Sequence, residues 1–244
     1  MPRFISIALI LLLTGCWSVN QPIEIEPGAE VEGSLRSVNG AMTIGDGARV
    51  SGDVSNVNGR IKIGERAQVG SITNVNGQII IGAGTEAADT ESVNGSVSLG
   101  PGARVRGGVS AVNGSVEMAE QSIVEDDVQT VNGRISLKTG ARVDGKVANI
   151  RGKIELDGAS VQSIETQAGS IDLLENSSVA GKLWVKEAKN GDNDIPRIVI
   201  GPGVQVGGPL QFDREVELLI HDDAEVGEII GAEAKCFSCE ITDI

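Results

Sequence analysis

The only histidine of the chain is the simplest candidate for acid–base chemistry. His221 is followed by Asp222 and Asp223, and an imidazole beside carboxylates can act as a general base. The surrounding sequence supplies neither a nucleophile nor a metal ligand to complete such a site. We therefore interpret His221 as a surface residue outside the regular repeat, and we predict that the protein is not an enzyme.

A polar stretch, KEAKNGDNDIP at residues 186–196, is the best candidate for cation binding. Its Asn190, Asp192 and Asp194 resemble half of a calcium-binding loop, but the glutamate and glycine positions of the full motif are absent. We interpret the stretch as a solvated loop and predict no metal and no other cofactor. Capture of a cation or a cationic envelope component by this loop and the acidic face is the alternative functional hypothesis.

Cysteine chemistry is expected at the N-terminus. An apolar run from Phe4 to Leu13 precedes Cys16, and it is too short to cross about 30 Å of hydrocarbon. Residues 1–15 are thus predicted to be a signal peptide. The sequence Leu-Thr-Gly-Cys ending at Cys16 resembles the lipobox of bacterial lipoproteins, which implies that Cys16 becomes the diacylated first residue.

The same resemblance implies a location. Trp17 is not the aspartate associated with inner-membrane retention, so an outer-membrane anchor facing the periplasm is favoured. Residues 16–27, which contain the proline-punctuated sequence WSVNQPIEIEP, are predicted to be a tether.

A second pair of cysteines, Cys236 and Cys239, forms a C-x-x-C motif. Such motifs occur in redox centres and zinc half-sites, but no βαβ pattern and no second pair accompany this one. An oxidising compartment favours a structural disulfide that would pin the C-terminal end.

Composition restricts the classes of fold and partner. The chain has 33 glycines in 244 residues, about 2% aromatic residues and a formal charge of −14. This composition argues against a bulky globular core and predicts a core of thin aliphatic layers. Nucleic acid is excluded as a partner, because phosphate binding requires a basic surface.

An internal repeat predicts the secondary-structure elements that carry these residues. The tripeptide Val-Asn-Gly occurs six times at intervals of 18 or 19 residues, and a worn copy, Ile150-Arg151-Gly152, follows. Within each interval, aliphatic residues recur every six positions, which fits neither a helix nor a hairpin. Three such units form one turn of a triangular coil with three short strands, in which we expect the valine of each Val-Asn-Gly to lie in the core.

Asparagine and glycine readily adopt the restricted backbone angles of a sharp corner. Stacking the turns would place equivalent asparagines about 4.8 Å apart, close enough for a ladder of side-chain amide hydrogen bonds. The predicted corners are Asn39-Gly40, Asn58-Gly59, Asn76-Gly77, Asn94-Gly95, Asn113-Gly114 and Asn132-Gly133.

The sequence thus predicts an all-β protein, a single-stranded parallel β-helix with 18–19 residues per rung over residues 28–231. We expect nine or ten rungs, with the polar loop 186–196 inserted and a C-terminal cap at residues 232–244. A right-handed coil is favoured because parallel crossovers are almost always right-handed.

The recurring GARVxGxVxxVNGxIxIG resembles the repeat of bactofilins, the bacterial polymer-forming proteins with a triangular β-helix core. The resemblance covers about residues 28–231 in rhythm. It implies a non-enzymatic structural or scaffold protein, which the N-terminal signal would place at the periplasmic side of the outer membrane through its acyl chains. Self-association through the solenoid ends and contact with an envelope protein belong to this hypothesis.

Overall fold

The chain folds into stacked turns of parallel strands. The computed structural model describes residues 16–188 and 194–237. These residues contain 32 strands and no helix, and the strands stack in about 11 turns. The predicted all-β parallel solenoid is thereby confirmed.

The strands are short, and three of them complete most turns. In chain order they are β1 (Cys16–Ser18), β2 (Ile23–Ile25), β3 (Glu30–Val31), β4 (Leu35–Asn39), β5 (Met42–Ile44), β6 (Arg49–Val50), β7 (Val54–Asn58), β8 (Ile61–Ile63), β9 (Ile72–Asn76), β10 (Ile79–Ile81), β11 (Glu86–Ala87), β12 (Thr90–Asn94), β13 (Val97–Leu99), β14 (Arg104–Val105), β15 (Val109–Asn113), β16 (Val116–Met118), β17 (Ile123–Val124), β18 (Val128–Asn132), β19 (Ile135–Leu137), β20 (Arg142–Arg151), β21 (Lys153–Asp157), β22 (Ser160–Thr166), β23 (Ser170–Leu174), β24 (Ser178–Val179), β25 (Leu183–Val185), β26 (Arg197–Ile200), β27 (Gln205–Val206), β28 (Leu210–Phe212), β29 (Glu217–His221), β30 (Glu225–Val226), β31 (Ile229–Ile230) and β32 (Ala234–Phe237).

Each turn contributes a strand to three faces. The first face contains β1, β4, β7, β9, β12, β15, β18, the later parts of β20 and β22, β25, β28 and β31. The second face is the 12-stranded sheet from β2 to β32. The third face contains the remaining strands, with the bridges of Gln68 to Arg49 and Glu86 where no strand is assigned.

The register explains the repeat length. Ile61 pairs with Ile79, which pairs with Val97, so one turn of 18 residues places each inward aliphatic residue on its counterpart. Turns of 19 residues keep the same register, as in the pairing of Val116 with Ile135. Each turn is therefore stabilised by the hydrogen bonds and apolar contacts of the turns on either side.

The solenoid begins earlier than the sequence indicated. Residues 16–27 were expected to be a tether, but β1 pairs with β4 and β2 pairs with β5. Ile23 and Ile25 are buried in the core. The proline at residue 22 obscured the pattern, although it lies at the corner that precedes β2 and interrupts no strand.

The solenoid also extends further at its C-terminal end. Residues 232–244 were expected to be a separate cap, but β32 pairs in parallel with β29 and continues the second face. The structure has about 11 turns, more than the nine or ten expected. Residues 238–244 lie outside the described part of the chain.

The polar stretch 186–196 falls between β25 and β26, and its residues 189–193 lie outside the described part of the chain. Ile171 pairs directly with Ile198 despite the long interval between them. The interval between β25 on the first face and β26 on the second falls at the corner that Asn-Gly occupies in earlier turns, and the pairing of β26 continues the register of the core.

Candidate functional site

His221 is part of the coil and is not a surface residue, so that expectation was wrong. It is the last residue of β29, is 7% exposed, and lies edge-on to Phe237 at 5.3 Å between ring centroids. The backbone N–H of Asp223 donates to its Nδ1 at 3.1 Å. The imidazole therefore packs the last described turns and shapes the bend that follows β29.

The cysteines are only partly described. Cys16 is in β1, one residue before Trp17, whose side chain is 75% exposed. Cys236 is exposed on β32, and Cys239 lies outside the described residues. Lipidation of Cys16 and the disulfide between Cys236 and Cys239 both remain predictions.

The candidate calcium loop is also only partly described. Asn190 and Asp192 lie outside the described residues, whereas Asp194 is described, and its backbone carbonyl accepts a bond from Arg214 Nη2 at 2.7 Å. Within residues 16–188 and 194–237, the structure contains no group of three or more His, Cys, Asp or Glu side chains placed to hold a metal ion.

The asparagine ladder is present along the corner between the first and second faces. Each amide Nδ2 donates to the Oδ1 of the asparagine one turn earlier, at 2.8–3.0 Å. The ladder consists of Asn20, Asn39, Asn58, Asn76, Asn94, Asn113 and Asn132. Asn20 was not predicted because glutamine replaces glycine after it. The ladder ends where Arg151 occupies the next position.

The glycine after each asparagine is required by the close stacking of the corners. A Cβ on Gly77, whose φ is +132°, would meet the carbonyl oxygen of Gly59 at a distance that real Cβ atoms essentially never show. Gly59, Gly95, Gly114, Gly133 and Gly152 are equally constrained by the carbonyl of the preceding corner. The asparagine of each Val-Asn-Gly triplet is therefore explained by the hydrogen bonds of the ladder, and the glycine is explained by the close approach of successive corners.

The valines of the Val-Asn-Gly triplets point outward, so the expectation that they fill the core was wrong. Val57, Val93 and Val112 are 39%, 40% and 41% exposed. In β7, Val54 and Asn56 point inward, and alternation then turns Val57 outward. The six-residue spacing failed here because the corner residues interrupt the alternation between one strand and the next.

The inward position before the valine holds a buried polar residue in most turns, and these residues form a polar column that only Ala111 interrupts among the turns with a Val-Asn-Gly triplet. The sequence analysis did not predict this column. Asn56 and Asn74 are buried, and their Nδ2 atoms donate to the carbonyls of Gly40 and Gly59 at 2.9 Å. The column also satisfies corner carbonyls that face the interior. Its members are Ser37, Asn56, Asn74, Ser92, Thr130, Asn149 and Thr166. The signal was available, since a small or polar residue precedes each of the six valines.

Three lysines converge on Glu165 on the first face. Lys186 Nζ lies 2.8 Å from its carboxylate, and Lys146 and Lys182 lie at 3.7 and 3.8 Å. Burial acts to raise the pKa of Glu165, but the hydrogen bond from Lys186 and the charges of the lysines outweigh it and lower the pKa. Lys182 and Lys186 also lie over the Trp184 ring, 3.9 and 4.4 Å from its centroid.

A similar cluster lies on the second face. Lys153 Nζ is 2.6 Å from Asp172 and 3.0 Å from Glu155. The hydrogen bond to Asp172 is the main cause that raises the pKa of Lys153, and the hydrogen bond from Lys153 is the main cause that lowers the pKa of Glu155. The pair of Lys153 with Asp172 joins neighbouring turns on the outside of the rod, whereas Lys153 and Glu155 lie on the same strand.

Replacing Glu165 by glutamine is expected to destabilise the protein at neutral pH and to have little effect in acid. A depressed carboxyl pKa contributes stability above its unfolded value, near 4.3, and this contribution is lost as the pH falls through the folded pKa. We expect a loss of about 1 kcal/mol at pH 7, since the lysines are partly solvated. Urea unfolding at pH 7 and pH 3.5 measures it.

The matched control is Glu24→Gln, because Glu24 is exposed on the second face. This variant should unfold like the wild type at both pH values. A deficit of Glu165→Gln that is as large at pH 3.5 as at pH 7 would show that the ion-pair cluster is not its cause.

Comparison with known proteins does not assign the chain to a family. No family model matches the chain, and no curated protein and no solved structure gives a match. Among the described residues there is also no helix with the length and apolar character needed to cross a bilayer.

Proposed function

We propose that this chain is a non-enzymatic structural protein of the bacterial cell envelope, anchored by lipid at Cys16 to the periplasmic face of the outer membrane. It acts as a rigid spacer or scaffold. The observation that carries the proposal is the unbroken stack of about 11 turns, which gives a rod of roughly 50 Å at about 4.8 Å per turn.

Rigidity follows from how the turns are joined. Strands on three faces and the aliphatic core join the turns along the rod, and the asparagine ladder adds bonds between the turns from Asn20 to Asn132. Bending the rod would therefore break several contacts at once. A spacer needs this property. A protein that closes on a substrate would instead need a hinge between its parts.

The N-terminal end favours an anchor. Cys16 lies at the start of the first turn, and the exposed Trp17 follows it directly. Acyl chains on Cys16 would hold the rod by its end, and an indole beside them suits the interface between lipid and water. The resemblance of Leu-Thr-Gly-Cys to a lipobox supports the same arrangement.

Self-assembly through the ends is the finer form of this proposal. Within the described residues, the strands β30, β31 and β32 each pair with a strand of the preceding turn alone. Ile230 on β31 is 45% exposed. Unpaired strand edges with exposed apolar side chains favour head-to-tail contact with another copy, which matches the polymer-forming character that the bactofilin resemblance implies.

Replacing Cys16 by alanine tests the anchor. We expect the wild-type chain to be in the membrane fraction of the producing cells with a fatty-acid label and the Cys16→Ala variant to carry no label, because the acyl chains would be attached through the Cys16 thiol. Fractionation with metabolic labelling by a fatty-acid probe measures both location and acylation.

Cys236→Ala is the matched control, and it should remain in the membrane fraction with its label. Label on Cys16→Ala equal to that of the wild type would contradict lipidation at Cys16. Retention of an unlabelled wild-type chain in the membrane fraction would contradict the lipid anchor itself.

A further inference from the structure

We propose that the first face pairs side by side with the same face of a second copy of this chain, with the two solenoids parallel. The pairing surface is the valine stripe, formed by the outward residue that precedes each ladder asparagine and by Ile150, which precedes Arg151 at the position where the ladder has ended. Its members are Val19, Val38, Val57, Val75, Val93, Val112, Val131 and Ile150.

The stripe is a continuous apolar surface that nothing in the fold requires. Val19 is 48% exposed, and Val57, Val93, Val112 and Ile150 are 38–41% exposed. The core is complete without these side chains, since the inward positions of the same strands are already buried. Single exposed aliphatic residues are ordinary, but a row of eight in register is the kind of patch that marks a contact surface.

Charge distinguishes this face from the rest of the molecule. The chain carries 34 acidic residues, yet the outward column beside the stripe from Trp17 to Ala148 contains one acid, Glu91, and one base, Arg36. The other members of that column are Ser55, Thr73, Ser110 and Gln129. Two copies with a net charge of −14 repel each other on most approaches. The part of the first face that carries this column, which ends one turn before Glu165, offers an approach with little charge to bury.

The area is sufficient for a specific contact. Eight turns at about 4.8 Å, with five-residue strands of about 17 Å, give a face of roughly 650 Å² per copy. The pair would bury roughly 1,300 Å² in total, within the range of stable protein interfaces. The regular spacing of the turns allows two such faces to pack as sheets do, about 10 Å apart.

The symmetry of the pair determines which stripe residues of the two copies lie opposite each other. In a parallel pair related by a two-fold axis along the rods, each stripe residue lies opposite the same residue of the other copy in every turn. An antiparallel pair would bring a residue opposite itself in one turn alone. The parallel orientation rests on the proposed anchoring of both copies by the same end, whereas the pairing of the faces does not.

Single cysteines along the stripe test the pairing and its direction. In the full chain with Cys236→Ser and Cys239→Ser, we introduce Val57→Cys, Val93→Cys or Val131→Cys and treat intact cells with a bis-maleimide that spans the roughly 10 Å between packed sheets. We expect all three variants to form the cross-linked dimer, at least fivefold above the parent without an added cysteine.

Ser98→Cys is the matched control. Ser98 lies on β13 of the second face, the strand that directly follows the strand of Val93. The Ser98→Cys variant should give no more cross-linked dimer than the parent. Cross-linking at one stripe position alone would overturn the parallel arrangement. Stripe variants that do not exceed Ser98→Cys would overturn the pairing. Fractionation of the same cells reports on the anchor separately, so failure of the pairing and failure of the anchor are distinguishable.

A charge placed on the stripe provides a second test. Val93→Glu with Val112→Glu, in the Val57→Cys chain, would put two carboxylates of each copy against their counterparts. We expect the cross-link to fall at least fivefold, while the outward side chains leave the core and the folded state intact. Ser98→Glu should leave it unchanged. Equal cross-linking in the presence and absence of the stripe charges would overturn the proposed contact.

Discussion

Replacing Gly77 by alanine is expected to destabilise the protein by about 3–5 kcal/mol. The backbone at Gly77 has a φ of +132°, which alanine adopts at a substantial cost. The new Cβ would also collide with the carbonyl of Gly59 in the turn below. That atom belongs to the backbone, so relief requires separating two turns.

Thermal and urea unfolding measure the change. For a domain of this size we expect the unfolding temperature to fall by roughly 10 °C, since 1 kcal/mol corresponds to about 2–4 °C. The asparagine ladder would be strained at the same point, because Asn76 donates to Asn58 at 2.9 Å across the same two turns.

Gly102→Ala is the control. Gly102 also has a positive φ, +64°, but a Cβ there would meet nothing within 4 Å. This variant carries the conformational cost alone, about 1 kcal/mol. Equal losses for Gly77→Ala and Gly102→Ala would show that backbone conformation, and not the stacking of the corners, explains the glycine in each triplet.

The fold could be predicted because its period is written in the sequence. The spacing of the triplets predicts the length of a turn, and the chemistry of Asn-Gly predicts its corner. The sequence therefore predicts that Asn76 lies on Asn58, and the bond between their side chains at 2.9 Å confirms it. A solenoid allows this inference because each turn contacts only its neighbours, and a local repeat therefore determines the global arrangement.

The direction of the side chains could not be predicted in the same way. A six-residue spacing treats corners as if they preserved alternation, and the Asn58-Gly59 corner does not. Val57 was therefore assigned to the core and Asn56 was overlooked. Apolar character alone favours burying valine over asparagine. The fold reverses that order here because the Asn56 amide satisfies the carbonyl of Gly40 inside the corner.

The ends were harder to predict for a different reason. Val19 and Asn20 lie 19 residues before Val38 and Asn39, so the spacing extends into the first turn. Gln21, however, replaces the glycine of the Val-Asn-Gly motif there, and Pro22 is typical of an irregular segment. The ladder bond from Asn39 to Asn20 at 2.9 Å shows that the asparagine carries the stacking even where the glycine is absent.

Removing one whole turn is expected to leave a folded, shorter rod. Deletion of residues 76–93 joins Val75 to Asn94 and restores the Val-Asn-Gly corner. Ile61 would then pair with Val97, and Asn58 with Asn94, in the register that their neighbours have now. In a stack with nearest-neighbour contacts, one internal turn contributes little that the remaining turns lack, so we expect the unfolding temperature to change by a few degrees.

Removing half a turn has a different consequence. Deletion of residues 76–84 starts at the same point but leaves nine residues that cannot complete a turn, and they must leave the coil as a loop before Asn94. Closing that loop costs about 2 kcal/mol or more. Thr85 and Ala87, which are now buried, would be exposed in it. We therefore expect this smaller deletion to be less stable than the larger one by about 2–4 kcal/mol.

Urea unfolding and limited proteolysis distinguish the two deletions. The half-turn variant should be cleaved within residues 85–93, and the whole-turn variant should resist cleavage as the wild type does. X-ray scattering should show both rods shortened by about 4.8 Å. If the nine-residue deletion were the more stable of the two, the turn would not be the unit of this structure, since a compact fold would tolerate the smaller loss more easily. A spacer built from interchangeable turns has a length that is set by their number, and the whole-turn deletion is the change that alters this length while preserving the fold.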